Sequence, residues 1–366
     1  MAASSPAAEA SSEEEVDFEE EEKKSEAESE RIKAAAGAAP AQGGATGFKL
    51  FVDLTAIAKL GQGTFTIKPN HSYVFLMAQI NDELSLQLHL SDDPAFYELQ
   101  WEVMPGLSLK AGKLLVPFGT NDFHHLIGGR VDEESRLLPE TWGDFGLSLS
   151  HAALDTEWLA LDYTLYAVNG FQGSDEPGIA AGTGIDNNYM KGLGARARLV
   201  AFSDYIVTGS AYFDVWDSRQ RYKLLYYALG AELKQGFVPI PVLDRLRVRG
   251  EWARGEIELP GRALQVGLIG PYSVARTGFY AEGNLLLWEG LSARVRTGRV
   301  NSDNTTTLQD EDDVWLLEPA VVWWVAHNKV QLTLAYQALL PAGRAVDAFD
   351  PFDPGDVVYG KVFLQF

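Results

Sequence analysis

The sequence predicts an all-β protein: a transmembrane antiparallel β-barrel of about 16 strands over residues 46–366, preceded by an acidic N-terminal tail over 1–45. Apolar and polar residues alternate with a period of two from residue 47 to the end. The segments that alternate are joined by connections that are alternately short and long. No run of about 18 apolar residues is present for a transmembrane helix, so a membrane protein with this sequence has to be a barrel.

The alternation is clearest where leucine occupies every second position of residues 84–90, with Ser85, Gln87 and His89 between them. Such a pattern is typical of a strand with one apolar and one polar face. We predict sixteen strands, at 46–58, 72–80, 83–91, 95–103, 106–116, 142–151, 157–168, 189–201, 204–216, 222–235, 244–259, 272–288, 290–300, 313–326, 329–340 and 356–366.

The connections provide an independent indication of the same topology. Every second one is a short turn, whereas those between them are mostly long, at 59–71, 117–141, 169–188, 260–271, 301–312 and 341–355. Short turns at one end and long loops at the other are typical of outer-membrane barrels, with the short turns in the periplasm. This parity places the N-terminal tail and Phe366 on the periplasmic side.

Aromatic residues cluster at the predicted ends of the strands. We expect them to form two outward-facing girdles at the membrane boundaries; in a soluble β-protein they would instead be core residues. The predicted turn-side girdle contains Trp101, Trp158, Phe202, Tyr205, Trp288, Trp323, Trp324 and Phe366, and the loop-side girdle contains Tyr73, Phe96, Trp142, Tyr189, Trp216, Tyr222, Tyr272 and Trp315.

The last strand, DVVYGKVFLQF at 356–366, is amphipathic and ends on an aromatic residue. It resembles the terminal strand of bacterial outer-membrane barrels, which implies that Phe366 is part of the assembly signal. Residues 1–10 have neither a basic nor an apolar region, so no secretory signal peptide is visible. We interpret the sequence as a mature or recombinant form; a cytoplasmic protein is the alternative.

The tail contains twelve acidic residues against four basic ones in residues 1–45, and few large apolar residues. Such a composition cannot form a core. We expect a solvated helix or a mobile tail in the periplasm, joined to the barrel by a flexible linker at 34–46.

Residues 109–120, LKAGKLLVPFGT, resemble the signature of the porin O/P family of Gram-negative bacteria, through Gly112, Lys113, Pro117, Phe118 and Gly119. The resemblance implies a water-filled barrel, usually a homotrimer, whose third external loop folds inward and narrows the pore. In this sequence that loop is 117–141.

Alternation also predicts which charges face the pore. A charge facing lipid at mid-depth costs about 2–4 kcal/mol, so arginines opposite apolar positions are expected inside. We expect the inner wall to contain a cationic stripe, with the acids of the third loop opposite it and a weak anion preference or near-neutral selectivity; alternatively, these charges pair with one another. The arginines are Arg196, Arg198, Arg247, Arg249, Arg276, Arg294 and Arg296, and the loop acids are Asp122, Asp132, Glu133 and Glu134.

The sequence favours a porin for ions and small hydrophilic solutes, in contact with outer-membrane lipid including lipopolysaccharide. We find no catalytic set, no cofactor motif and no metal-ligand spacing, and a pI near 4.7 argues against nucleic acid. One alternative is a secretion or anchor barrel whose N-terminal helix plugs the pore or binds a partner. Another is an outer-membrane enzyme or adhesin that uses loops 169–188 and 341–355.

Overall fold

The structure is a computed structural model of the 366-residue chain. It describes residues 47–61, 64–90, 96–120, 142–172, 178–179, 189–237, 240–261, 263–264, 267–268, 270–301, 313–325, 330–341 and 357–365. The predicted tail at 1–45 lies outside these residues. Within these ranges, no helix has both the length and the hydropathy needed to cross a membrane.

The described residues form twenty strands and one short 3-10 helix at Leu243–Arg245. The strands are β1 (Gly47–Gly61), β2 (Thr64–Gln79), β3 (Leu84–His89), β4 (Tyr97–Met104), β5 (Leu107–Leu115), β6 (Gly143–Asp155), β7 (Leu159–Val168), β8 (Phe171–Gln172), β9 (Gly178–Ile179), β10 (Gly192–Ala201), β11 (Tyr205–Val215), β12 (Lys223–Leu233), β13 (Leu246–Leu259), β14 (Ala263–Leu264), β15 (Gly267–Leu268), β16 (Tyr272–Trp288), β17 (Leu291–Asn301), β18 (Asp313–Val325), β19 (Val330–Pro341) and β20 (Val357–Gln365).

Sixteen of these strands form one closed antiparallel barrel, in the order β1–β7, β10–β13 and β16–β20. The barrel closes because β1 pairs with β20, from Asp53 opposite Gln365 to Leu60 opposite Val358. The four remaining strands form two small hairpins, β8–β9 and β14–β15, within long connections. The predicted fold class is confirmed.

All sixteen predicted segments correspond to barrel strands. One predicted connection is wrong, since most of residues 59–71 belongs to β1 and β2, which pair as far as Gly61 opposite Thr64. Pro69, opposite Ala56, lies beside a register irregularity between Thr55 and Ala56. Proline is tolerated in a strand at such a bulge because it has no N–H to donate to the ladder.

The two ends of the barrel differ in their connections. We call the end with the short turns the turn rim; it includes the links β4–β5, β6–β7, β10–β11 and β16–β17. The opposite end is the loop rim, where the long connections β5–β6, β7–β10, β13–β16, β17–β18 and β19–β20 lie. The first residue of β1 and the last residue of β20 both lie at the turn rim, as the alternation of short and long connections predicted.

Six of the eight aromatic residues predicted at the turn rim are exposed on the outer face, as expected; Trp324 shares the inner face with the buried Val322, and Phe366 lies outside the described residues. Their relative exposures run from 41% to 68% for Trp101, Trp158, Phe202, Tyr205, Trp288 and Trp323. At the loop rim the girdle prediction is partly wrong. Tyr189 and Trp315 are exposed, but four other members, Phe96, Trp142, Trp216 and Tyr222, are buried.

Most of the buried aromatic residues belong to one apolar cluster in the loop-rim half of the barrel. Trp142 is fully buried and its ring lies 4.7 Å from that of Tyr212, in an edge-on arrangement. Phe118 and Phe171, from the β5–β6 and β7–β10 connections, contact the same rings. The cluster extends along the inner faces of β7, β11, β12, β13 and β16.

Gly290 in the β16–β17 turn provides a test of the turn-rim geometry. Its φ is +71°, and a Cβ there would lie 2.5 Å from the carbonyl oxygen of Trp324. We therefore expect Gly290→Ala to lower the free energy of unfolding by about 1–2 kcal/mol or more, because a left-handed conformation has that cost for an L-residue. Denaturant unfolding of the protein in lipid vesicles measures it. Gly270→Ala is the control, since no atom lies within 4 Å of a Cβ at that position; equal stabilities would contradict the turn geometry.

Candidate functional site: the inner wall of the barrel

The inner face of each strand is defined by alternation of burial. On β11, Thr208 and Tyr212 are 4% and 1% exposed, whereas Val207, the residue before Thr208, is 45% exposed. Directly opposite residues in an antiparallel pair point to the same face. The pairing register therefore extends this assignment from strand to strand around the barrel.

One level of the inner wall carries charges of alternating sign on five consecutive strands. We call these residues the charge row. In the register, Glu232 lies opposite Arg249, Arg249 opposite Glu282, Glu282 opposite Arg296, and Arg296 opposite Glu318. Every neighbouring pair in the row is of opposite sign, an arrangement that stabilises cross-strand contacts.

The arginines of the row form close ion pairs. Arg249 Nε lies 2.9 Å from one oxygen of Glu282, and Arg296 binds the other oxygen at 2.8 Å. Arg296 also approaches Glu318 at 3.6 Å, and Glu318 is 0% exposed. A buried carboxylate needs such partners, because an uncompensated charge in this position is costly.

Two further arginines lie one inner position nearer the turn rim. Arg247 pairs with Glu232 at 2.5 Å, and Arg294 pairs with Glu318 at 3.0 Å. Asn284 lies between them in the register. The Nε atoms of both arginines and Oδ1 of Asn284 are buried without a hydrogen bond.

Other parts of the inner wall carry further pairs. Arg198 lies 3.8 Å from Asp162, and both side chains are more than a third exposed. On β5 and β4, across the barrel from the charge row, Lys110 lies 2.6 Å from Glu98. Arg196 is on the inner face of β10, opposite Thr164 and Ser210.

Arg276 differs from the other six predicted arginines. It lies on the inner face of β16, two positions from Gly278 and opposite Gly255, which offers no side chain. Its Nε is buried without a hydrogen bond, and no carboxylate of the described residues lies within ion-pair distance. Tyr226 is its aromatic neighbour, since a Cβ at Gly255 would overlap the Tyr226 ring.

The β5–β6 connection begins inside the barrel. After β5, the backbone N–H of Gly119 donates a hydrogen bond to Ser210 Oγ at 3.0 Å. Thr120 donates through its backbone N–H to Glu251 at 3.0 Å and through its hydroxyl to the same oxygen. The described part of this connection, 116–120, thus contacts β11 and β13.

The start of the β7–β10 connection is held in the same half of the barrel. Gly170 N–H donates to Asp144, and Phe171 N–H donates to Asp214, both at 2.6 Å. Tyr212 donates its hydroxyl to Asp214 at 3.1 Å. Both carboxylates are buried at 1% exposure or less, so they serve to bind the backbone of this connection.

The structure thus places all seven predicted arginines on the inner face. Five of them are paired with carboxylates of neighbouring strands, Arg198 more loosely than the others, so the described residues form a largely neutralised wall instead of a free cationic stripe. The sequence reasoning had missed the partners Asp162, Glu232 and Glu318. The loop acids Asp122, Asp132, Glu133 and Glu134, and the terminal Phe366, lie outside the described residues, and their roles stay predictions.

In the part of the chain that the structure describes, no group of three or more His, Asp or Glu side chains is arranged to hold a metal ion. No family model matches the chain. No curated protein matches it either.

Solved structures of bacterial outer-membrane proteins share this fold. OmpT of Vibrio cholerae, expressed in the outer membrane, superposes with a TM-score of 0.57 at 12% identity, over 90% of this chain and 99% of that one. An anion-selective porin of Comamonas acidovorans superposes with a TM-score of 0.56 at 10% identity, over 88% of this chain and 100% of that one. The outer-membrane channel DcaP of Acinetobacter baumannii superposes with a TM-score of 0.56 at 9% identity, over 87% of this chain and 97% of that one. The chain has a porin-like fold.

Glu318 is the most buried charge of the row and therefore the most informative to neutralise. We expect Glu318→Gln to lower the free energy of unfolding by about 3–5 kcal/mol, because Arg294 and Arg296 lose a buried counter-charge. Denaturant unfolding in lipid vesicles measures the loss.

The matched control is Asp162→Asn, which removes the carboxylate of an inner-wall ion pair to Arg198 in which the arginine and aspartate side chains are 44% and 38% exposed. This change should cost about 0–1 kcal/mol, as is usual for exposed pairs. If both variants lose the same stability, the charge row does not contribute as its burial indicates.

Proposed function

We propose that this protein is an outer-membrane porin, a channel for passive diffusion of ions and small hydrophilic solutes that uses no cofactor. The observation that carries the proposal is the contrast between the two faces of a closed barrel. The outer face exposes apolar side chains such as Leu229, Leu334 and Val295, at 49% to 62%. The inner face at the turn-rim half presents partly exposed charges, including Arg198 and Arg247.

A closed barrel with these faces fits a bilayer. Closure satisfies every strand edge, which lipid requires. Exposed tryptophans at the turn rim, including Trp158 and Trp288, match an interfacial aromatic girdle. The similar structures named as porins or as an outer-membrane channel support the same function. The outer membrane is therefore the proposed location, with the short turns and the N-terminal tail in the periplasm.

The charge row bears on ion selectivity. Because its arginines are paired, their fields largely cancel at distances beyond a few ångströms, and salt screens the remainder. We propose a weak anion preference or near-neutral selectivity. Arg276 is the inner arginine for which the described residues provide no counter-charge, so it contributes most of the anion preference.

The proposed partners are outer-membrane lipid including lipopolysaccharide, and two further copies of the chain in a homotrimer. One of the similar structures, OmpT of Vibrio cholerae, is described as a trimer form. The acidic residues of the β5–β6 connection are proposed to face the charge row across the pore, and Phe366 to act in assembly.

Conductance is the direct test of the proposed function. We expect the purified protein in a planar bilayer to show steady, ohmic open levels, because the charged inner wall favours a water-filled path. A protein lacking residues 1–45 should conduct equally. A silent full-length protein that conducts only after this deletion would contradict the open porin and would favour the anchor barrel with a plugging tail.

Selectivity tests the role of Arg276. We expect Arg276→Gln to shift the reversal potential in a salt gradient toward cations, because it removes an inner charge to which the described residues provide no counter-charge. Arg254→Gln is the matched control: Arg254 lies on the adjacent strand but on the outer face, opposite Thr277. Equal reversal potentials for Arg276→Gln and the parent would show that Arg276 does not face the conducting path.

A further inference from the structure

The described start of the β5–β6 connection crosses the barrel. In the barrel order, β11 and β13 are four and six strands away from β5, yet residues 119 and 120 bind side chains of both. A chain that leaves β5 and reaches β13 within five residues has to pass through the interior. The contacts with Ser210 and Glu251 therefore fix where this connection enters the lumen.

Two glycines make room for these contacts. Gly230 on β12 lies directly beneath Thr120, and a Cβ there would overlap the Thr120 methyl group. Gly119 has a φ of +75°, and a Cβ on it would overlap the Glu251 carboxylate. Neither position accepts a side chain while the native Thr120 methyl group and Glu251 carboxylate occupy that space, so wall and connection are shaped for each other.

Glu251 is the only charged member of this contact. Glu251 is 5% exposed, and one of its carboxylate oxygens accepts the hydrogen bonds from both the backbone N–H and the hydroxyl of Thr120. The Tyr280 hydroxyl lies 3.3 Å from Thr120 Oγ1 and covers the pair. Glu251 also lies one inner position along β13 from Arg249, so the contact sits immediately on the loop-rim side of the charge row.

We infer that Glu251 is the positioning residue for the start of the β5–β6 connection: it holds Thr120 against Gly230 and so fixes residues 119 and 120 inside the barrel beside the charge row. The term loop lock denotes Gly119, Thr120, Ser210, Gly230 and Glu251. Glu251 thus acts through the connection and not as a free lumenal charge. The inference deepens the proposed channel function, on which it rests, but the contact itself can be tested without conductance.

A disulfide provides that structural test. The Cβ of Thr120 lies 3.4 Å from a Cβ built on Gly230, close to the Cβ separation of about 3.5–4.5 Å found in disulfides. The chain has no cysteine, so Thr120→Cys with Gly230→Cys can form only one intramolecular bridge. We expect it to form in the folded protein on mild oxidation, as a shift in electrophoretic mobility that a reducing agent reverses.

The control pair is Thr120→Cys with Gly209→Cys. Gly209 lies on the neighbouring strand β11, and no atom lies within 4 Å of a Cβ there, so no bridge should form. Failure of the Gly230 pair to cross-link, or equal cross-linking of both pairs, would overturn the loop lock whether or not the protein conducts.

Single-channel recording then tests the role of Glu251. Glu251→Ala removes the acceptor, and Gly230→Ala displaces Thr120 without touching Glu251. We expect both to lose the single steady open level of the parent and to show fluctuating sublevels, whereas Gly209→Ala records like the parent. In a Glu251→Ala protein that carries the cysteine pair, oxidation should restore the steady level and reduction should abolish it again.

The outcomes separate the two proposals. If the parent conducts and both variants keep its steady level, Glu251 does not position the connection and the inference is wrong. If Glu251→Ala fails to fold, the conductance of Gly230→Ala and the disulfide of Thr120→Cys with Gly230→Cys in the otherwise unchanged protein still decide whether the inference holds. If the parent itself is silent, the porin function fails, while cross-linking alone then decides whether the loop lock exists.

Discussion

The structure depends on one constraint: the first and last strands must pair so that no sheet edge is left open. The ladder between β1 and β20 pairs backbone groups that would otherwise be left open at two sheet edges, and the proposed membrane location requires this pairing. Once the sheet is closed, each strand has one face inside and one outside, and a side chain can change face only through a shift of register by one residue. The fixed register explains why charges from five strands meet at one level of the inner wall.

That meeting has an electrostatic consequence. Glu282 accepts hydrogen bonds from Arg249 and Arg296, so each strand contact also satisfies a charge that would be costly alone. In the proposed channel, the same pairing weakens the field that these arginines would exert on a passing ion. Stability of the wall and selectivity of a channel therefore compete for the same side chains. Among the described residues, Arg276 has no counter-charge and so avoids this competition.

Strands could be predicted from the sequence because alternation is local, but cross-strand partners could not. Glu318 stands among apolar residues of β18, and its proximity to Arg296 follows only from the register between two strands. The aromatic error has a different origin. Leu147 is exposed and therefore lies on the outer face. Residues an even number of positions from Leu147 share its face, so Trp142, five positions away, lies on the inner face together with Asp144. Which face a residue occupies follows from its parity along the strand, and its position at a strand end does not change that face.

The inner face of the barrel differs between its loop-rim half and its turn-rim half. Near the loop rim, the cluster around Trp142 and Tyr212 is packed without exposed side chains, and two connections contribute Phe118 and Phe171 to it. Nearer the turn rim, side chains such as Arg198 and Arg247 keep part of their surface exposed. Close packing at one height and partial exposure at the other means that solutes are excluded from the cluster itself, whereas the half-buried Arg276 beside it keeps part of its surface exposed. A passage through the barrel must then run beside this cluster, and the contact of Thr120 with Glu251 lies at the boundary between the two zones.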